Sequence, residues 1–328
     1  MKEDGDMFYP LKFNPVYKKV IWGGRNIEKH FKRNLPEGKI GESWELSCRK
    51  EGMSIVKNGI FKGRYLYDLV SEYKEKILGD NVCQKYGFNF PLLIKIIDAN
   101  DKLSVQVHPD DKYAKAMGEK NGKSEMWYII DAKKDAKLIY GLKKGITKEK
   151  FIDAIKNKKV GDTLNQVSVK PGDFLYIPAG TVHAILEGIL IAEIQQSSNT
   201  TFRIYDYDRR DINGNMRELH IDKALDVINF NFNNELISSE AKYEGKNSIK
   251  KLVKSQYFCT DEIKIQDQYK SSTNGSTFIS VMVIEGCGKI ACEGASEDVV
   301  PGDTLLLPAS LGDYSIEGNL KILTSYIL

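Results

Sequence analysis

Apolar positions along this chain come in short runs broken by glycine and proline. Leu11-Lys12-Phe13-Asn14-Pro15, Ile21-Trp22-Gly23-Gly24 and Gly41-Glu42-Ser43-Trp44-Glu45-Leu46-Ser47 read as strands and turns within residues 1–60. Pro91-Leu92-Leu93-Ile94-Lys95-Ile96-Ile97-Asp98-Ala99 is a strongly apolar strand. Strand segments recur at 102–108, 125–130, 137–140, 166–169, 174–177, 182–186, 189–195 and 201–205, and from about residue 250 the pattern is β again. Helical spacing is rarer. Residues 64–87 read as helical, from Tyr65-Leu66-Tyr67-Asp68-Leu69-Val70 into Tyr73-Lys74-Glu75-Lys76-Ile77-Leu78. Thr147-Lys148-Glu149-Lys150 reads as an N-cap and first turn, with Phe151, Ile152 and Ile155 on one face. Residues 218–230 form another helix through Leu219, Ala224, Leu225, Val227 and Ile228. Dense short strands with Gly/Pro turns predict a mainly β barrel or sandwich with helical insertions.

An internal repeat sharpens this expectation. Val169-Lys170-Pro171-Gly172-Asp173-Phe174-Leu175-Tyr176-Ile177-Pro178-Ala179 recurs 130 residues later as Val299-Val300-Pro301-Gly302-Asp303-Thr304-Leu305-Leu306-Leu307-Pro308-Ala309. The second copy has Asp313 where the first has His183. Two related β-barrels are therefore expected. Residues 1–235 would carry a metal site, and residues 236–328 would form a second, degenerate β domain without one.

The chain has four histidines, and two of them, His108 and His183, fall in motif context. Residues two apart on a strand share a face, so Gln106 and His108 can both look into a barrel. Glu125 opens the apolar run Met126-Trp127-Tyr128-Ile129-Ile130, where an unpaired carboxylate would be costly. Two imidazoles, a carboxylate and an amide oxygen suit Zn²⁺ with one position left open, while ligand type alone leaves Fe²⁺ and Mn²⁺ open. His30 and His220 lack such context and read as ordinary residues.

Composition excludes several function classes. At 328 residues one or two domains are expected, and 41% hydrophobic with 28% charged residues is ordinary for a soluble chain. The net charge is +3 with scattered lysines, which predicts no nucleic-acid partner. No run of 18 apolar residues exists and the N-terminus has no apolar signal core, so no membrane span or leader is expected. The five cysteines are odd in number and lack a C-x-x-C spacing, which fits a reduced cytoplasmic protein.

Gly172-x5-Pro178-x-Gly180-x2-His183 resembles the second signature of the cupin superfamily. Gln106-x-His108, with Glu125 downstream, resembles the first, with Gln replacing its usual first His. A closer resemblance covers nearly the whole chain. Ile21-Trp22-Gly23-Gly24, Gly41-Glu42-Ser43-Trp44-Glu45, Leu103-Ser104-Val105-Gln106-Val107-His108-Pro109-Asp110-Asp111, Gly122-Lys123-Ser124-Glu125-Met126-Trp127 and Thr201-Phe202-Arg203-Ile204-Tyr205-Asp206-Tyr207-Asp208-Arg209 are similar to the type I mannose-6-phosphate isomerases, in their short bacterial form. The longer members carry Asn-Val-Val-Arg-Ala-Gly near the site arginine, where this chain has Thr200-Thr201-Phe202-Arg203-Ile204-Tyr205. The resemblance implies two cupin-type jelly-roll barrels with helical insertions, and one Zn²⁺ per chain held by Gln106, His108, Glu125 and His183. It also implies a small sugar-phosphate substrate, with reversible conversion of mannose 6-phosphate to fructose 6-phosphate.

Aldose–ketose isomerisation moves a proton between C1 and C2 through a cis-enediol, which needs a base, an acid path and charge stabilisation. Arg203 is expected to stabilise enediolate charge, and Lys123, two residues before Glu125, to transfer a proton or bind an oxygen. Lys95, inside an apolar run, is expected to contact substrate or phosphate, and Glu193, inside Ile189-Leu190-Ile191-Ala192-Glu193-Ile194, is a further acid/base candidate. A structural Lys95–Glu193 ion pair accounts for those two equally well. The residue that removes the proton stays open at this point. The rival readings are another metal-cupin enzyme and a non-catalytic sugar-phosphate-binding cupin.

Overall fold

The strand pattern resolves into three sheets. The computed structural model describes residues 8–210, 213–235 and 238–328. It is mainly β, and its contacts divide it into two units. One comprises the described residues within 17–43 and 95–237, the other those within 1–16, 44–94 and 238–328. The sequence expectation, a division at 235/236, follows chain order, whereas these units interleave. The interleaving arises because Leu11–Asn14 pairs with both Thr304–Leu307 and Ile55–Val56, which draws early segments into the C-terminal sheet.

The unit containing residues 95–237 is built on two sheets. The six-stranded sheet runs in the order Phe174–Ile177, Glu125–Ala132, Ile189–Gln196, Leu92–Ala99, Ile40–Leu46, Val16–Gly24. The five-stranded sheet runs Phe202–Tyr205, Val105–Val107, His183–Ile185, Lys137–Leu142, Leu164–Ser168. Strand alternation sorts their side chains. Ile97, Trp127, Ile129 and Ile191 of the first sheet form one apolar cluster with Leu138, Tyr140 and Ile185 of the second. On the other face of the five-stranded sheet, Val105, Val107, Ala184, Phe202 and Ile204 pack with Phe151, Ala224 and Ile228. Gln106, His183 and Arg203 lie between those outward residues along their strands, so period two turns all three toward the opposite face.

Both copies of the repeat make the same turn. Asp173 Oδ2 accepts from the Lys170 N–H at 2.9 Å, and Asp303 Oδ2 from the Val300 N–H at 3.0 Å. Gly172 and Gly302 have φ of 88° and 90°, a region that favours glycine. Asp313, at the position of His183, is exposed in the second copy.

The helices differ from expectation in detail. The helix at Lys148–Lys156 forms, with Thr147 Oγ1 accepting from the Lys150 N–H at 3.4 Å. The 218–230 segment narrows to Ile221–Val227. The 64–87 segment is three short helices, Leu66–Tyr73, Glu75–Leu78 and Asp80–Tyr86, broken at Lys74 (φ 43°) and Gly79 (φ 90°). Two further helices, Asn26–Phe31 and Asp111–Ala116, carry no strong periodic signal. Asp98 fixes the start of the first by accepting from the Asn26 N–H at 2.7 Å and its Nδ2 at 2.8 Å. Asp110 caps the second, accepting from the Tyr113 N–H at 2.8 Å. Among the described residues no helix is long and apolar enough to cross a membrane.

Candidate metal centre and active site

Sheet register assembles the site. His183 lies opposite Gln106, and Gln106 lies opposite Arg203, on three neighbouring strands. The side-chain nitrogens Gln106 Nε2 and His183 Nε2 stand 3.3 Å apart. His108 follows directly after the strand that carries Gln106. Glu125 comes from the facing six-stranded sheet, where it is in register with Ile177 and Gln195.

His108, Glu125 and His183 are completely buried, and their ligand atoms lie within 4.8 Å of one another. Each imidazole uses Nδ1 elsewhere: His108 Nδ1 is 3.0 Å from the Thr200 carbonyl oxygen, and His183 Nδ1 is 2.8 Å from that of Thr181. A carbonyl oxygen only accepts, so Nδ1 carries the proton in both rings and Nε2 is left as a lone pair. Those lone pairs face Glu125, at 3.5 Å for His108 and 3.3 Å for His183. His108 Nε2 and both Glu125 oxygens are buried without a hydrogen-bond partner. Buried acceptors converging on one point, left without hydrogen bonds although the Lys123 ammonium stands 3.1 Å from Glu125 Oε2, fit a cation. A half-turn of the Gln106 amide presents its oxygen to the same point.

The electrostatics agree with this fit. Burial, then the Lys123 charge, lowers the His108 pKa to about 3. Burial likewise lowers His183, so both rings are neutral and able to ligate near pH 7. Burial pushes the Glu125 carboxyl up, but Lys123 and the two imidazoles outweigh it and hold it well below the ordinary value. Lys123 Nζ lies 3.1 Å from Glu125 Oε2.

A cavity of about 280 Å³ opens beside this cluster, lined by Gln106, Lys123, Lys95, Glu193, Arg203 and Trp127 among others. Lys95 Nζ sits 3.0 Å from Glu193 Oε2 and 3.7 Å from Glu42 Oε2. The Trp127 indole N–H donates to Glu193 Oε1 at 3.2 Å. Burial disfavours the Lys95 charge, yet Glu193 and Glu42 more than compensate and raise its pKa. Burial, reinforced by the charges of Glu125 and Glu42, raises the Glu193 carboxyl despite Lys95. The pair therefore sits in the cavity wall and forms an ion pair at the same time.

Arg203 Nη1 donates to the Glu218 carbonyl at 2.8 Å, while its Nε is buried without a partner. Its backbone is tied to His220: the His220 N–H donates to the Arg203 carbonyl at 2.8 Å, and the Arg203 N–H donates to His220 Nδ1 at 3.2 Å. Burial and the nearby Arg217 lower the Arg203 pKa.

All residues singled out from the sequence thus meet in one place. His108, Glu125 and His183 form the buried cluster, Gln106 stands beside it, and Gln106, Lys95, Lys123, Glu193 and Arg203 line the adjoining cavity. Sequence reasoning missed Glu42, Arg217 and His220. Glu42 had a signal, as an acid inside a strand marker, whereas Arg217 lies in polar sequence without one and His220 reads as an ordinary residue for want of motif context. His30 remains outside the site, with its ring 4.8 Å from that of Phe31.

Known proteins are similar to this chain along its length. Residues 10–134 match the family model of the type I phosphomannose isomerase catalytic domain, and residues 248–327 match that of the mannose-6-phosphate isomerase cupin domain. The chain is 40% identical over 321 residues to the probable mannose-6-phosphate isomerase GmuF of Bacillus subtilis, covering 98% of this chain and 100% of that protein. It is 37% identical over 320 residues to a mannose-6-phosphate isomerase of Streptococcus mutans, covering 98% and 99%. The crystal structure of the mannose 6-phosphate isomerase from Bacillus subtilis matches with a TM-score of 0.91 and 35% identity, over 98% of this chain and 100% of that one. With this identity sustained from end to end, the chain belongs to the type I mannose-6-phosphate isomerase family.

Proposed function

We propose that this protein interconverts mannose 6-phosphate and fructose 6-phosphate through a cis-enediol, with one Zn²⁺ held by Gln106, His108, Glu125 and His183. The observation that carries the reading is the convergence of inward-facing imidazole lone pairs and Glu125 on one point. A cavity lined by two lysines, two arginines and the buried Glu193 carboxyl adjoins that point. A Zn²⁺ held by these residues would supply Lewis acidity to polarise a sugar carbonyl or hydroxyl.

The chain's own residues carry the proton transfer. Glu193 takes the proton from C2 of the open-chain aldose and delivers a proton to C1, for which a carboxyl raised above its ordinary value is suited. Lys95 holds Glu193 in place and contacts the sugar hydroxyls. Lys123 serves the proton path between the two sugar oxygens, and Arg203 stabilises the charge that develops on the enediolate. Trp127 fixes the Glu193 orientation through its indole N–H. We also place the protein in the cytoplasm, in line with five cysteines that are all free thiols. The residues within 236–328 act as a second, metal-free cupin-like domain.

The test is to incubate zinc-loaded protein with mannose 6-phosphate in D₂O and follow products by NMR. Fructose 6-phosphate bearing deuterium at C1 is the expected result. No product from folded, zinc-loaded protein would sink the isomerase reading. Product without any deuterium would mean that the C2 hydrogen reaches C1 without exchange, and would sink a solvent-exchanging proton relay.

A further inference from the structure

The cavity contains one guanidinium to which the proton chemistry gives no part, that of Arg217. Asp206, buried just after the strand Phe202–Tyr205, grips it with both oxygens: Arg217 Nε donates to Oδ2 at 2.8 Å and Nη2 to Oδ1 at 2.5 Å. Arg209 donates to the same Oδ1 at 2.5 Å, and also to the Lys102 carbonyl. Arg209 has the exposed Asp101 at 3.8 Å as a second partner and does not line the cavity.

Charge is unevenly matched around the cavity wall. Lys95 faces Glu193 and Glu42, and Lys123 faces Glu125. Arg203, by contrast, has no carboxylate within ion-pair distance among the described residues. The Asp206 carboxylate of Arg217 is shared with Arg209. Two cavity-lining guanidiniums therefore face the same space with less than one carboxylate between them. Arg203 Nε is buried there without a partner. The hydroxyl-bearing residues Ser104 and Thr201 line the same cavity. The mutual repulsion of the two guanidiniums contributes to the lowered Arg203 pKa, after burial. An anion with several acceptor oxygens relieves that repulsion, and a phosphate monoester, close to dianionic at neutral pH, fits it.

We propose that Arg217 binds the phosphate group of the substrate, with Asp206 as the positioning residue that holds its guanidinium at the cavity edge. The Asp206 fork occupies Nε and Nη2, which leaves Nη1 for a phosphate oxygen. Arg203, opposite Gln106 across the sheet, keeps its charge available to the enediolate.

The inference rests on the sugar-phosphate reading above, and the test separates the two. Zinc-loaded wild type, Arg217→Gln and Arg217→Lys are compared in mannose 6-phosphate turnover and in calorimetric binding of inorganic phosphate. For Arg217→Gln the expected result is a KM raised about 10- to 100-fold with kcat little changed, and a similar loss of phosphate affinity. Arg217→Lys, which keeps the charge without the fork, is expected to fall between, and it carries the test if Arg217→Gln does not fold. If wild type binds phosphate but turns nothing over, the isomerase reading fails, and loss of phosphate binding in Arg217→Gln still supports the subsite. Unchanged KM and phosphate affinity in the folded variant overturn the inference. So does a fall in kcat at unchanged KM, or a wild type that does not bind phosphate.

Discussion

Lys95 and Glu193 face each other at 3.0 Å on neighbouring strands of the six-stranded sheet, and both line the cavity beside the His108–Glu125–His183 cluster. The two readings open to the sequence, structural ion pair and reactive pair, are therefore compatible. Removing one charge tests stability, and removing the acid tests chemistry.

Glu193→Gln keeps the shape and the Trp127 contact but cannot carry the proton. We expect kcat to fall about 10²- to 10⁴-fold with little change in melting temperature. Lys95→Met leaves Glu193 and Glu42 facing each other in a buried wall, and is expected to cost about 3 kcal/mol of stability, the lower end for a broken buried pair because Glu193 can take up a proton. The double variant Lys95→Met/Glu193→Gln should recover stability and not activity. Denaturant melts and steady-state rates on the three variants decide this, and a double variant as unstable as Lys95→Met would contradict it.

Acid should weaken the metal-free protein through its buried imidazoles. His108 has a folded pKa of about 3, against about 6.5 in the unfolded chain. Between those values the unfolded state binds a proton that the folded state does not, so stability falls as pH drops through that window. His183 is shifted in the same direction by burial. Urea melts at several pH values should show this slope, and His108→Gln should flatten it. Added Zn²⁺ should oppose the loss, since metal and proton compete for Nε2.

His220 must accept at Nδ1 to hold the Arg203 N–H. Burial lowers its pKa, which keeps the ring neutral near pH 7. A protonated ring would present a donor to a donor. His220→Ala is expected to lower kcat about 2- to 10-fold, the worth of one ordinary hydrogen bond, by loosening the strand that carries Arg203. An unchanged kcat would remove His220 from the positioning of Arg203.

Gly23 and Gly41 are demanded by the close approach of their two strands. A Cβ on Gly23 would lie 2.4 Å from the Gly41 backbone nitrogen, and one on Gly41 would meet the Trp22 ring at 2.5 Å. Gly23→Ala must push the two strands apart and displace Glu42 from Lys95. A loss of at least about 2 kcal/mol is expected, in line with overpacking at a rigid contact. Thermal melts check it, and a neutral substitution would show that the strands yield.

Much of this site was legible because strand periodicity is short-range. Gln106 and His108 stand two apart, and the Pro171-Gly172-Asp173 turn upstream of His183 recurs as Pro301-Gly302-Asp303 with the same Asp side-chain bond. Lys95, Glu125 and Glu193 were legible as charges inside apolar runs, where burial demands a partner or a task. Arg217 and His220 carried no such pattern. They reach the site because the chain after Asp206 returns against the strand Phe202–Tyr205, which is a tertiary event. The break at Lys74 was equally silent, since a lysine at positive φ is dictated by packing on both sides and not by its own preference. The break at Gly79 is tertiary as well, as a Cβ there would lie 2.4 Å from the Ser276 carbonyl carbon.

The central claim is that the buried His108–Glu125–His183 cluster with Gln106 holds the one metal on which isomerisation depends. The direct measurement is to strip the protein with a chelator and titrate Zn²⁺ back while assaying fructose 6-phosphate formation from mannose 6-phosphate. We predict activity that is absent in the stripped, folded protein and rises to a plateau at one Zn²⁺ per chain, with no recovery in His183→Ala. Full activity in the metal-free protein, or zinc-restored activity in His183→Ala equal to wild type, would contradict the account.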